Sequence, residues 1–155
     1  MSGEGRSPMA VIGIGNPMMG DDGIGPRLIL ELESSNIDAD LIDMGTGGMQ
    51  LVHLMAEYRS VILIDSAEMG LYPGESRIFS PEEVVSFKET RAYSLHDWDL
   101  LRSIQISRDL GEAPDRILIL AIQPGSLGMG EDLSPTLKEK IPHYLAEIRD
   151  VVEQL

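Results

Sequence analysis

Two uninterrupted apolar runs, Ser60-Val-Ile-Leu-Ile-Asp65 and Arg116-Ile-Leu-Ile-Leu-Ala-Ile122, constrain this chain most. A strand with one wet face alternates apolar and polar residues. A run without alternation must be covered on both faces, which is the signature of a parallel sheet lying between helices. Two more short runs, Met9–Ile14 and Asp40–Asp43, read as further strands. Helical patterns separate them: Ile24–Ser34, with apolar positions at Ile24, Leu28, Leu30 and Leu32, then Met49–Tyr58 and Asp97–Leu110. The last helix runs from Ser134 to Leu155, with Ser134 as N-cap and Pro135 at the first helical position. Its apolar face is Leu137, Ile141, Tyr144, Leu145, Ile148 and Val152. Alternation of this kind predicts an α/β fold, a mostly parallel twisted sheet sandwiched between helices.

One segment breaks the alternation. After Gly70-Leu-Tyr-Pro-Gly74, the short Glu75–Phe79 reads as an antiparallel edge strand. There is no internal repeat and no interdomain linker, so residues 9–155 are expected to form a single α/β domain. Residues 1–8, small and polar, are expected to be a disordered tail.

In such folds ligands bind beyond the carboxyl ends of the strands. Those ends supply Asn16 to Asp22, Asp43 to Gly48, Asp65 to Glu68, and Gln123-Pro124; His96 falls near the same rim. The loop Gly13-Ile-Gly-Asn-Pro-Met-Met-Gly-Asp-Asp-Gly-Ile-Gly25 is the most specific of these. A phosphate-cradling loop keeps carboxylates away from its bare N–H groups. Here Asp21 and Asp22 stand just before the helix, which favours a cation or a polar partner. A dinucleotide fingerprint would need glycine where Met18 stands, although Asp43 sits where a ribose-binding acid would. The Met18-Met19 pair fits loop packing, or a flexible apolar contact to a partner.

Asp22, Asp65 and His96 together form a borderline-hard ligand set suited to nickel, zinc, manganese or iron. Taken singly, each has a structural reading: Asp22 as a helix N-terminal carboxylate, Asp65 as a strand-ending turn former, His96 beside a capping box of Ser94 and Asp97. His53 and His143 fall within helical patterns and read as surface or packing residues. No His-Glu-x-x-His and no Gly-x-Ser-x-Gly occurs, and the chain has no cysteine. Disulfides, thiolate metal sites and a cysteine nucleophile are thereby excluded. The formal net charge of −14 disfavours nucleic acid and anionic membranes and tolerates a basic or metal-bearing protein partner. With no membrane-spanning run and no signal-peptide core, the expected location is the cytoplasm.

These boxes resemble those of the maturation endopeptidases of [NiFe] hydrogenases. Gly13 to Gly25 is similar to that family's first box, Asp43-Met-Gly-Thr-Gly-Gly48 to its second, and Ile64-Asp-Ser-Ala-Glu-Met-Gly70 with Pro73-Gly74 to its third. Ser94-Leu-His96 resembles its histidine segment and Ala121-Ile-Gln-Pro124 the box after its last strand. Within the family the wording is closest to peptidases of formate-hydrogenlyase and coenzyme-F420-reducing hydrogenases. The resemblance implies a peptide-bond hydrolase, an aspartic-type endopeptidase. It would act on a large-subunit precursor that carries nickel, and remove the C-terminal extension once the metal is inserted. It implies Asp22, Asp65 and His96 as the metal-binding and catalytic trio; many relatives have Glu where Asp22 stands. Nickel would be carried by the substrate precursor. Asn16, Asp43, Gly45, Thr46, Gly47, Gly48 and Gln123 would bind the substrate tail, and the protein is expected to act as a monomer. A non-catalytic nickel-checking module for hydrogenase assembly is the alternative, separable because only the endopeptidase shortens the precursor.

Overall fold

The computed structural model describes residues 5–84, 86 and 98–155. Five strands form one sheet: β1 (Ser7–Gly13), β2 (Asp40–Asp43), β3 (Tyr58–Ser66), β4 (Ser76–Phe79) and β5 (Arg116–Ile122). Their order is β2-β1-β3-β5-β4, with the first four positions parallel and β4 antiparallel on the edge beside β5. The sheet is flanked by helices that include α1 (Ile24–Leu32), α2 (Met49–Met55), α3 (Asp99–Asp109) and α4 (Pro135–Gln154).

The non-alternating runs are buried on both sides. Val61 and Leu63 of β3 face one apolar cluster, with Leu51 and Met55 of α2 and Leu100 and Ile104 of α3. Ile62 and Ile64 face the other, with Leu28 of α1 and Leu137, Tyr144 and Ile148 of α4. The fold is therefore the expected single-domain α/β sandwich, with helices on both faces.

Several boundaries differ from expectation. β1 begins at Ser7, so Ser7 and Pro8 belong to the sheet, and Ser7 pairs with Tyr58. Arg6 is buried and donates to the carbonyl oxygen of Ala113. α2 ends at Met55 because Tyr58 is needed to start β3, where its hydroxyl donates to Asp40. In α1 the inward position is Ile29, while Leu30 points to solvent. In α4 Val151 is buried more deeply than Val152, a one-residue shift of the same stripe. Ser134 caps α4, its Oγ accepting from the Leu137 N–H, with proline in the first turn as expected. The capping box of Ser94 and Asp97 lies outside the described residues.

Helix α1 lies close against β1 because two glycines face each other. A Cβ on Gly25 would stand 2.5 Å from the Ile14 carbonyl oxygen and 2.8 Å from that of Ile64. A Cβ on Gly13 would stand 2.5 Å from the Gly25 carbonyl oxygen. Only glycine permits this backbone approach, and it brings the start of α1 to the carboxyl ends of β1 and β3.

Candidate active site

Chain connections from β1 lead outward to β2, and the chain then returns to β3 on the other side of β1. The crevice beyond β1 and β3 is thus the switch point of the sheet, the usual place for a ligand in an open α/β fold. The loop after β1 begins there. The Ile14 N–H donates to the Ile64 carbonyl at 2.9 Å, and the Gly15 N–H donates to the Gly45 carbonyl at 2.7 Å. A short 3-10 turn, Gly20–Gly23, then leads into α1.

The adjacent aspartates of that turn face opposite ways. Asp21 is fully buried and acts as an internal tie. Its Oδ2 accepts from the Gly125 N–H at 2.8 Å, the Ser126 N–H at 3.0 Å and the Ser134 hydroxyl at 2.9 Å, and its Oδ1 accepts from the Ser134 N–H at 2.6 Å. Burial works to raise the pKa of this group, but the backbone N–H groups of Ser134, Ser126 and Gly125 outweigh it and hold the carboxyl below its usual range. Asp22, half-buried, turns the other way. Its Oδ2 accepts from the Asn16 N–H at 2.8 Å and its Oδ1 from the Ser66 hydroxyl at 2.7 Å.

Asp22 and Asp65 line one cleft of about 290 Å³. Thr46, Gly47 and Gly48 form one edge, Leu51 the floor of α2, and Trp98, Asp99, Leu100 and Ser103 the wall at α3. Asp65 is buried at the end of β3, and the indole N–H of Trp98 donates to its Oδ2 at 2.7 Å. Burial pushes the Asp65 carboxyl up to about 7, against the lowering effect of the Trp98 bond, and the negative charge of Asp22 adds to the rise. A carboxyl that exchanges its proton near neutrality, beside an anchored second carboxylate, can ligate a cation or accept a proton from water. Among the described residues no group of three histidine, cysteine or acidic side chains could hold a metal ion. His96 lies outside those residues; Trp98, two positions later, lines the cleft wall.

The residues expected at the site therefore divide. Asp22, Asp65, Thr46, Gly47 and Gly48 come together around the cleft. The others are used elsewhere. Asn16 supports Asp22 through its backbone, while its side chain accepts from the Met18 N–H. Asp43 accepts from the Gly45 N–H in a local turn and lines a separate groove. Gly45 stands behind the cleft edge, its carbonyl bound by Gly15. Gln123 is buried. Its carbonyl oxygen accepts from the Met69 and Leu71 N–H groups, and its amide donates to Glu68 Oε2. It shapes the loop after β3 and does not line the cleft. Ser66 and Trp98 were not singled out by sequence. Ser66 stood in the third box directly after Asp65, and Trp98 is the only tryptophan.

A family model describing hydrogenase maturation proteases matches residues 26–151. The chain belongs to the hydrogenase maturation protease family. This is an enzyme family, and membership carries a role in hydrogenase maturation. The chain is 31% identical over 142 residues to the hydrogenase 2 maturation protease of Escherichia coli, covering 89% of this chain and 86% of that one. It is 32% identical over 137 residues to the hydrogenase expression/formation protein HupD of Thiocapsa roseopersicina, covering 84% of this chain. It spans 61% of the length of that relative. The hydrogenase maturating endopeptidase HybD of E. coli superposes with a TM-score of 0.80 at 28% identity, over 96% of this chain and 93% of that one. Like the expectation, these folds are α/β, and among the described residues no helix is long and apolar enough to cross a membrane.

Proposed function

We propose that this maturation protease removes the C-terminal extension of a [NiFe] hydrogenase large-subunit precursor, and that it recognises the nickel already held by that precursor. One observation carries the reading: two carboxylates from different strand ends, Asp22 and Asp65, line the same cleft at the switch point of the sheet. Nickel belongs to the substrate in this scheme. Asp22 is held at both oxygens by Asn16 and Ser66, so its orientation is set before the substrate arrives. Asp65 is buried and poised between protonated and ionised forms, so engagement of a cation releases its proton. His96 is the expected third ligand.

Anchoring the metal fixes the scissile bond at a constant distance from it, which is a proximity effect. The cleft edge suits an extended tail. Gly48 has a φ of 75° and nothing within 4 Å of where a Cβ would stand, so backbone can approach it closely. Hydrolysis adds water across the peptide bond: the attacking water gives a proton to a carboxylate of the cleft, and the leaving amine takes one up. The acidic surface and the lack of cysteine accord with a cytoplasmic partner that reads thiolate-held nickel without thiol exchange.

The test is to mix the protein with a large-subunit precursor, nickel-loaded and nickel-free, and to follow the precursor by mass. Loss of the tail from the loaded form alone is the expected result. Persistence of the full-length precursor, although it is processed in extract of its own cells, would overturn the reading.

A further inference from the structure

The loop that carries Asp22 has a second face, and the proposed function makes no use of it. Residues 18–21 pair with residues 126–131. Met19 and Met129 form an antiparallel bridge, the Gly130 N–H donates to the Met18 carbonyl at 2.6 Å, and the Gly20 N–H donates to the Glu131 carbonyl at 3.1 Å. The Asp21 tie locks the same two loops from below. On this rigid platform stand Met18, Leu127 and Met129, which are 64%, 50% and 84% exposed. Behind them, between the 3-10 turn and α1, runs a groove of about 290 Å³ lined by Pro17, Pro26, the exposed Leu30 and Leu133. Of the eight exposed large apolar side chains among the described residues, four lie on this face. Their exposure is not needed for the core, yet the backbone at Met18 and Met129 is tied by the pairing of the two loops. Flexible methionines on a fixed frame suit a protein contact.

Charge selects the occupant. The acids Glu33, Asp43 and Glu131 surround the patch and groove, and Asp132 beside them is paired with Lys138 and Arg27. The two neighbouring cations are already engaged: Lys138 with Asp132 at 2.9 Å, and Arg27 with Glu31 at 3.2 Å. The face is apolar within an acidic rim, so it fits an apolar surface ringed by lysine and arginine. The 3-10 turn forms a shared wall, with Asp22 toward the cleft and Gly20 and Gly23 toward the groove.

We infer that Met18, Leu127, Met129 and the adjoining groove are the docking face for the folded body of the precursor, an inference that rests on the function proposed above. The body binds one side of the loop while its tail reaches the cleft on the other. Docking then adds affinity that the tail alone cannot supply, and it sets the reach of the tail by the width of one turn.

The test compares wild type with a Met18→Glu, Met129→Glu double variant, using a nickel-loaded large-subunit precursor as the probe. The double variant is expected to bind the precursor at least about tenfold more weakly, while nickel binding by the isolated protein stays at the wild-type level. Added salt should weaken the wild-type complex. Should the double variant not fold, Met18→Gln with Met129→Gln takes its place, and hydrogen exchange on wild type should show protection of residues 127–130 by the precursor. Equal affinity of wild type and variant, with wild type still shortening the precursor, overturns the docking face alone. Failure of wild type to bind or shorten any nickel-loaded precursor overturns both readings. Self-association of wild type that the variant abolishes would assign the face to a second copy of this chain and overturn the proposal.

Discussion

The Ser66 hydroxyl donates to Asp22 Oδ1 at 2.7 Å, joining the end of β3 to the loop after β1 across the mouth of the cleft. Ser66 follows Asp65 directly, so the two carboxylates are held in register by adjacent residues of one strand. Ser66→Ala should leave the fold intact, at a cost of about 1 kcal/mol. It should weaken nickel binding by the isolated protein, because Asp22 then keeps only its Asn16 partner. Calorimetric titration of wild type and variant checks both parts; unchanged affinity would remove Ser66 from the site.

The raised Asp65 carboxyl makes stability depend on pH in a defined direction. Between the ordinary value of 3.8 and about 7, the folded protein holds a proton that the unfolded chain has lost. The folded state therefore binds more protons, and stability from this group falls as pH rises through that window. Asp65→Asn should have little effect at about pH 4 and should stabilise the protein by about 1–3 kcal/mol at about pH 8. Urea unfolding at the two pH values measures the difference.

Metal binding should show the opposite slope. A ligating carboxylate must be ionised and a ligating histidine neutral. Affinity for nickel should decline as pH falls below about 7, the value for Asp65. An ordinary histidine, near ~6.5, would add to the loss. Asp22→Ala and His96→Ala should each abolish binding. Wild-type affinity in both variants would sink the ligand assignment.

Asp21→Ala deletes an acceptor of four hydrogen bonds and takes the side-chain partner from the Gly125, Ser126 and Ser134 N–H groups of the loop after β5. The expected loss is about 3–5 kcal/mol. Amide exchange at Ser126 and Ser134 should accelerate well beyond that of the sheet. Slow exchange at these amides would show that the tie is not needed.

Gly25→Ala places a methyl 2.5 Å from the Ile14 carbonyl oxygen, where neither backbone can yield without moving α1 off β1. We expect a loss of more than about 2 kcal/mol and a displaced Asp22. Thermal unfolding and nickel titration of the variant report the two effects together.

The sheet was legible because β3 and β5 lack alternation, a signal that survives any detail of packing. The antiparallel edge strand could be read from the glycine and proline that interrupt the pattern before Ser76. Helix faces were less secure. Leu30 and Ile29 are both apolar neighbours, and only the angle at which α1 crosses the sheet decides which turns inward. At the site, strand ends located Asp22 and Asp65, because topology alone determines where strands finish. Adjacent aspartates cannot be told apart by pattern, and the partner that commits Asp21 to a structural tie is Ser134, distant in sequence. Gln123 stands at a strand end as well, but its side chain is taken by the Met69 and Leu71 backbone.

Asp21 lies near the start of the chain and its partners lie at Gly125, Ser126 and Ser134. During synthesis the loop after β1 leaves the ribosome before those residues, so the Asp21 tie cannot form until they follow. The support beneath the Asp22 loop is therefore completed only after β5 has been made. A nascent chain with β1, β2 and β3 complete still lacks the partners that tie the Asp22 loop to the loop after β5.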